Sequence, residues 1–406
     1  MNRKLISVLV AGALATAGAT AFAQSKGKLS GDAVKIGVLT DMSGLYSDLG
    51  GQGSIIAAQM AIEDFGGKIF GKPITLVSAD HQNKPEVGST RVREWIDRDG
   101  VDMITDILNS GVGLAVAKVA GEKHRVAINV GAASTRLTNE DCNPYSIHYA
   151  YDTYSLANGT GKAIVKQGGD TWFFLTADYA FGHSLENDTS NVVKANGGKV
   201  LGAVRHPLNA SDFSSFLLQA QASKAKIVGL ANAGGDTINS IKAANEFGIT
   251  KNQSLAGLLV FISDVHSLGL NTAQGMLLTT GFYWDLDEQT RKFGKRFFDR
   301  HKKMPTMIHA GVYSATTNYL KAVQAAGTDD PDAVIAELRK MKLDDFMMRH
   351  AQLRPDNVVA HDMYLAQVKK PSDSKYPWDY YTIKATIPAA EAFQPLATVN
   401  CSMLKK

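Results

Sequence analysis

The residues of this chain best placed to do chemistry are small polar groups that follow apolar runs. Asn109-Ser110-Gly111 comes directly after the run at 101–107 (VDMITDI), and Ala132-Ala133-Ser134-Thr135 comes after the run at 126–130. If each run is a strand that leads into a helix, the first helical N–H groups are unpaired and point outward. Hydroxyl and amide donors then converge, which suits an anionic group. The same residues also suit plain N-capping by Asn109, Ser110 and Ser134, worth about 1 kcal/mol per cap, and one residue can serve both uses.

Other chemistries lack their residues. The best glycine cluster is Gly111-Val112-Gly113, but Val116 stands where G-x-G-x-x-G requires its third glycine. The next run ends in Asn129-Val130, without the acid that would hold a ribose. No complete G-x-x-x-x-G-K-[ST], H-E-x-x-H or G-x-S-x-G occurs, which argues against nucleotide hydrolysis, metallopeptidase and serine-hydrolase chemistry. His81, His183, His266 and His309 sit in no visible partner constellation and read as loop or cap residues. No metal site and no cofactor are expected, because Cys142 and Cys401 are far apart and lack paired histidines at ligand spacing.

These groups must be positioned by a fold of ordinary composition. The chain has 406 residues, 45% hydrophobic and 20% charged, a length that suits two or three lobes with buried cores. That composition excludes disorder, collagen and coiled coil. The net charge of +4, from 43 basic and 39 acidic residues, is spread without a Lys/Arg block, so no nucleic-acid partner is expected.

Strand-like runs lie at 34–40, 74–80, 101–107 and 126–130, separated by helical patterns such as Ile55, Ala58, Ile62 and Phe65 on one face. Pro85 is placed to open a second helix. The pattern restarts after Tyr151 with runs at 171–177, 199–204, 226–232 and 255–260, interleaved with helices near 182–196, 213–223 and 236–247. A further run at 276–281, helices at 289–303, 309–326 and 331–341, a strand at 363–368 and an irregular tail complete the chain. Strand alternating with helix implies parallel sheets with right-handed crossovers. The fold class is therefore α/β, with two doubly wound parallel-sheet lobes joined by several chain crossings at one hinge. The expected division is 33–150 plus about 282–345 for the first lobe, 151–281 plus about 346–370 for the second, and 371–406 for the tail.

The first residues set the compartment. Arg3 and Lys4 precede a small and apolar run, and Ala21-Phe22-Ala23 fits the signal-peptidase pattern, so 1–23 reads as a signal peptide cleaved after Ala23. No Cys stands at that point, and no other stretch approaches the roughly 20 apolar residues of a membrane span. The expectation is a soluble periplasmic protein. In that oxidising compartment the even cysteine count favours one Cys142–Cys401 bridge over two buried thiols.

Taken together, VKIGVLTDMSGLYSDLGGQGSIIAAQMAIEDFGG at 34–67, KPITLVSADHQNKPEVG at 72–88, NSGVGLAVAKVA from Asn109, GAASTRLT from Gly131 and FLTADYAFGHSLE at 174–186 carry a resemblance. The chain resembles the leucine/isoleucine/valine-type substrate-binding proteins of ABC importers, over essentially all of 34–368. The resemblance implies a monomer whose two lobes close over a small ligand and deliver it to a membrane permease, without turnover. It places the ligand carboxylate at Ser110, next to the Asn109 singled out above, and at Ala133 and Ser134, under aromatic cover from Tyr179 or Phe181. Tyr46 and Leu49 are contributed by the first-lobe loop, and Asn232, which closes the KIVGLAN run, completes the set. Amino-acid binders of this kind hold the α-ammonium with an acid where the resemblance puts Phe261, with Asp264 three residues on. An aromatic there favours a carboxylate lacking an amine, such as an aromatic acid, with branched-chain or other amino acids as the alternative. A sensor of this fold would continue into a membrane segment or signalling domain, and a regulator would carry a helix-turn-helix; neither pattern is found in the sequence.

Overall fold

The computed structural model describes residues 27–404, so the leader and its cleavage site lie outside the described residues. In the first half the strands are β1 (Val34–Thr40), β2 (Lys68–Ile69), β3 (Lys72–Asp80), β4 (Met103–Asp106), β5 (Val126–Asn129) and β6 (Ser146–His148). They form one sheet in the order β2-β3-β1-β4-β5-β6, parallel except for the short hairpin of β2 with β3. Helices α1 (Gly51–Asp64), α2 (Pro85–Glu94) and α3 (Ser110–Lys123) supply its crossovers. The strands β1, β4 and β5 are buried along nearly their whole length, as expected when helices cover both faces.

The chain then crosses through α4 (Thr153–Leu156) and α5 (Lys162–Lys166) into a second sheet. There β7 (Thr171–Ala177), α6 (Ala180–Ala195), β8 (Lys199–His206), α7 (Ser214–Ala222), β9 (Ile227–Ala231), α8 (Gly234–Glu246) and β10 (Ser254–Gly257) alternate. Their strand order is β10-β9-β7-β8, all parallel. Each sheet reverses its winding beside its first strand, which opens a crevice at the carboxyl ends of the strands.

After β10 come α9 (Ile262–Leu268), α10 (Leu270–Ala273) and β11 (Leu277–Thr280), followed by α11 (Glu288–His301), α12 (Met307–Ala326) and α13 (Pro331–Lys340). Helices α11 and α12 return to pack along α1. The Thr306 hydroxyl caps α12 by accepting from Ile308 N at 3.2 Å, and it also donates to Leu49 O at 2.8 Å, fixing the β1–α1 loop. The short strands β12 (Gln352–Leu353) and β13 (Val359–Ala360) precede β14 (Met363–Val368), which pairs antiparallel with β11.

The segment after 370 differs from expectation. It is not wholly irregular, because β15 (Tyr381–Ile387) pairs antiparallel with β14 and widens this third sheet. Its burial is largely confined to Tyr381, so this edge strand lacks the apolar run that marks a central one. The tail is anchored by the expected Cys142–Cys401 disulfide, with Cα atoms 5.7 Å apart. Among the described residues no helix is long and apolar enough to cross a membrane.

Candidate ligand-binding site

The carboxyl ends of both parallel sheets face each other across a closed cleft that leaves a cavity of about 10 Å³. The first sheet contributes Tyr46 and Leu49 from the β1–α1 loop, Leu108 and Ser110 from the β4–α3 turn, and Gly131 beyond β5. Tyr151 comes from the crossing segment, Tyr179 and Phe181 from the β7–α6 turn, Ala233 from the β9–α8 turn and Leu259 from beyond β10. None of these residues carries a charged side chain at neutral pH. That space holds about one water molecule, so the walls of the cleft are nearly in contact.

Ser110 is the polar hub of this cavity. Asn109 caps α3, its side chain accepting from Val112 N at 3.1 Å, which leaves Ser110 at the first helical position. The Ser110 hydroxyl oxygen accepts from Ala133 N and Ser134 N, both at 3.1 Å. With its lone pairs so engaged, the hydroxyl has its proton left to donate. Asp41 shapes the neighbouring loop by accepting from Gly44 N at 2.8 Å, Tyr46 N at 2.9 Å and Asn83 Nδ2 at 2.7 Å.

Several contacts join the two sides of the cleft. The Tyr46 and Tyr179 hydroxyls lie 2.6 Å apart, and burial drives both phenols above their usual range, so both stay neutral. The hydroxyls of Ser134 and Ser184 also lie 2.6 Å apart, and Asp188 accepts from Thr135 Oγ1 at 3.0 Å and from Thr153 Oγ1 at 2.6 Å. Gly235 N donates to Leu45 O at 3.4 Å. Glycine is required beside that contact: Gly234 has φ +56°, and a β-carbon there would lie 2.7 Å from Leu45 O.

Of the residues singled out in the sequence, Tyr46, Leu49, Ser110, Tyr179 and Phe181 meet at the cavity, whereas the others lie elsewhere. Asn109 is the α3 cap. Ala133 and Ser134 stand behind Ser110, donating their amides to it. Asn232 is buried in a network with Thr237 at 2.7 Å, Ser240 at 3.0 Å and His206 at 3.1 Å. Phe261 packs edge-on against Tyr151 with ring centroids 6.2 Å apart, and Leu259 takes the place on the cavity wall. Asp264 accepts from Phe261 N at 2.9 Å, and burial pushes its carboxyl up to about 7. It lines a separate cavity of about 350 Å³, with Asp48, Asn209 and Ser267.

Leu108, Gly131, Tyr151, Ala233 and Leu259 were not anticipated. Leu108 and Gly131 directly precede the polar motifs, and Ala233 follows the KIVGLAN run, so strand ends were the available signal. Tyr151 gave no local signal; its hydroxyl donates to Gly131 O at 2.8 Å.

A family model described as periplasmic binding protein matches residues 33–375. A crystal structure of a periplasmic binding protein from Burkholderia mallei is 60% identical, covering 92% of this chain and 100% of that one, with a TM-score of 0.91. A branched chain amino acid ABC transporter periplasmic ligand-binding protein from Burkholderia xenovorans LB400 is 44% identical, covering 91% and 99%, with a TM-score of 0.82. A solute binding protein from R. palustris, solved in complex with 4-hydroxybenzoate, is 22% identical over 88% and 97% with a TM-score of 0.79, a likeness of fold.

Proposed function

We propose, from the premise that this chain belongs to the periplasmic binding protein family and is a substrate-binding protein of ABC transport, that it carries a small carboxylate without an amine, an aromatic acid above all. The observation that carries this reading is the cavity wall, which holds the Ser110 hydroxyl donor and four aromatic side chains but no acid to pair an ammonium. A buried ammonium deprived of a charge-assisted partner loses roughly 1.5–3 kcal/mol, one to two decades of affinity. In this reading Ser110 O–H and the α3 N-terminus meet the carboxylate, and Tyr46, Tyr179 and Phe181 enclose the ring. The R. palustris complex with 4-hydroxybenzoate supports the ligand class.

We assign 33–150 with about 282–345 to one lobe and 151–281 with about 346–370 to the other. The packing of α11 and α12 on α1 and the pairing of β14 with β11 support that division. The protein binds as a periplasmic monomer, after loss of its signal peptide at Ala23, and delivers the ligand to ABC permease subunits without turning it over.

A thermal-shift screen tests the ligand class. A ligand at about 100 times its dissociation constant adds about 2.7 kcal/mol, so 4-hydroxybenzoate is expected to raise the melting temperature more than leucine, isoleucine or valine. The reverse ranking overturns the preference and favours branched-chain amino acids, the reading suggested by the name of the Burkholderia xenovorans protein, with Asp264 as the ammonium partner.

A further inference from the structure

Asp106 is a buried carboxyl that none of the contacts above employs. It ends β4 with φ +69° and is followed by Ile107 at φ +54°. Asp tolerates left-handed backbone, but a β-branched residue there is an outlier that its surroundings must enforce, and such strain clusters at ligand clamps. Asp106 is 0% exposed, and neither carboxyl oxygen has a hydrogen-bond partner among the described residues. The Thr40 and Ser54 hydroxyls stand close enough to favour the ionised carboxyl, an effect that burial outweighs.

Position ties this carboxyl to the cavity. A β-carbon on the cavity residue Gly131 would lie 3.2 Å from one carboxyl oxygen, and one on Gly50, next to the cavity residue Leu49, would lie 3.0 Å from the other. The carboxyl therefore stands directly behind the wall formed by Leu49, Leu108 and Gly131. The titratable groups that act on it are Asp41, just after β1, and Tyr151 from the crossing segment, while α1 presents Ser54, and the His309 imidazole on α12 meets the Gly50 carbonyl. Burial holds the His309 imidazole down at about 3, so it is neutral. Burial, reinforced by the Asp41 carboxylate, pushes the Asp106 carboxyl up to about 7.

We infer that Asp106 is a specificity-determining residue that holds a proton while an anionic ligand fills the cavity, so that carboxylate binding is linked to one proton. The inference rests on the carboxylate reading above. An ionised Asp106 would set a like charge behind the ligand carboxylate with no cation facing either. The bound anion raises the Asp106 pKa further, so affinity is full below about 7 and falls as pH rises, by up to tenfold per unit.

The test uses the mature protein, with 4-hydroxybenzoate and leucine as carboxylate probes. Calorimetric titration from pH 6 to 8.5 is expected to show affinity falling towards tenfold per unit above 7. Asp106→Asn, whose side chain suits the same left-handed backbone, is expected to bind independently of pH. Loss of the slope in the unsubstituted protein, or its persistence in Asp106→Asn, overturns the inference. Infrared spectra of ligand-free protein at pH 6 are expected to show a protonated-carboxyl band that Asp106→Asn lacks; its absence from the unsubstituted protein overturns the inference whatever binds. Binding of neither probe with that band present refutes the carboxylate reading, and the linkage falls with it. If Asp106→Asn fails to fold, Asp106→Gly, which fits φ +69°, makes the same comparison.

Discussion

The two walls of the cleft are built differently. On the first-sheet side, Asp41, Asn109 and Ser110 collect backbone N–H groups at short range, so the loops are fixed by hydrogen bonds before any ligand arrives. On the second-sheet side, Tyr179, Phe181, Ala233 and Leu259 face the cavity, and of these only Tyr179 brings a polar side chain. One wall is thus rich in fixed polar groups and the other largely apolar; in the proposed reading the first recognises charge and the second encloses shape. A closing lobe gains from this division, because apolar groups cross the gap with little desolvation cost whereas misplaced polar groups would be left unpaired.

Removing the disulfide should give the largest effect and separate stability from recognition. Cys142 and Cys401 close a loop with a sequence separation of 259, for which chain-entropy scaling gives an upper figure of about 5.6 kcal/mol. Cys142→Ser with Cys401→Ser is expected to lower the melting temperature while leaving ligand affinity within about twofold, since neither cysteine lines the cavity. A comparable loss of affinity at a temperature where the variant is folded would join the tail to the recognition wall.

The next effect probes the charge-recognising wall. Ser110→Ala is expected to weaken carboxylate binding by roughly 1.5–3 kcal/mol in calorimetric titration, and to lower stability because Ala133 N and Ser134 N lose their acceptor. Unchanged affinity would sink Ser110 as the carboxylate donor.

The shape-enclosing wall should respond less. Tyr179→Phe keeps the ring and removes the 2.6 Å contact with Tyr46, a change of about 0.5–1.5 kcal/mol in affinity, expected mainly as faster ligand release in stopped-flow traces. A loss as large as that of Ser110→Ala would erase the division between the walls.

The smallest effect on affinity belongs to Asp264, outside the cavity. Its raised carboxyl contributes stability that is full below about 4, the unfolded value, and lost as pH rises through about 7. Asp264→Asn should therefore gain stability relative to the parent between those limits, with 4-hydroxybenzoate affinity unchanged. A tenfold drop in that affinity would move Asp264 into the recognition site.

Much of this was legible in the sequence. The runs at 34–40, 171–177 and 363–368 coincide with β1, β7 and β14, since buried parallel strands read as continuous apolar runs and helices recur with their own period. Strand β15 was missed because an exposed edge strand such as YTIKATI leaves no such run. Ser110 was legible for the same local reason, standing at a strand end and opening a helix. The loop after β10 was not: Leu259 and Phe261 are both apolar, and periodicity there does not say which of them faces the cleft.

By itself, then, the sequence determined the α/β alternation, the two-sheet plan, the cysteine pair and the polar strand ends, because burial periodicity and helix capping act between residues close along the chain. Only the tertiary structure decided that Ala133 and Ser134 support Ser110, that Leu259 lines the cavity while Phe261 packs on Tyr151, and that Asp106 lies unpartnered behind Gly131. Each depends on how a loop from one strand end lies against a loop from another, and those registers are set by packing between distant segments.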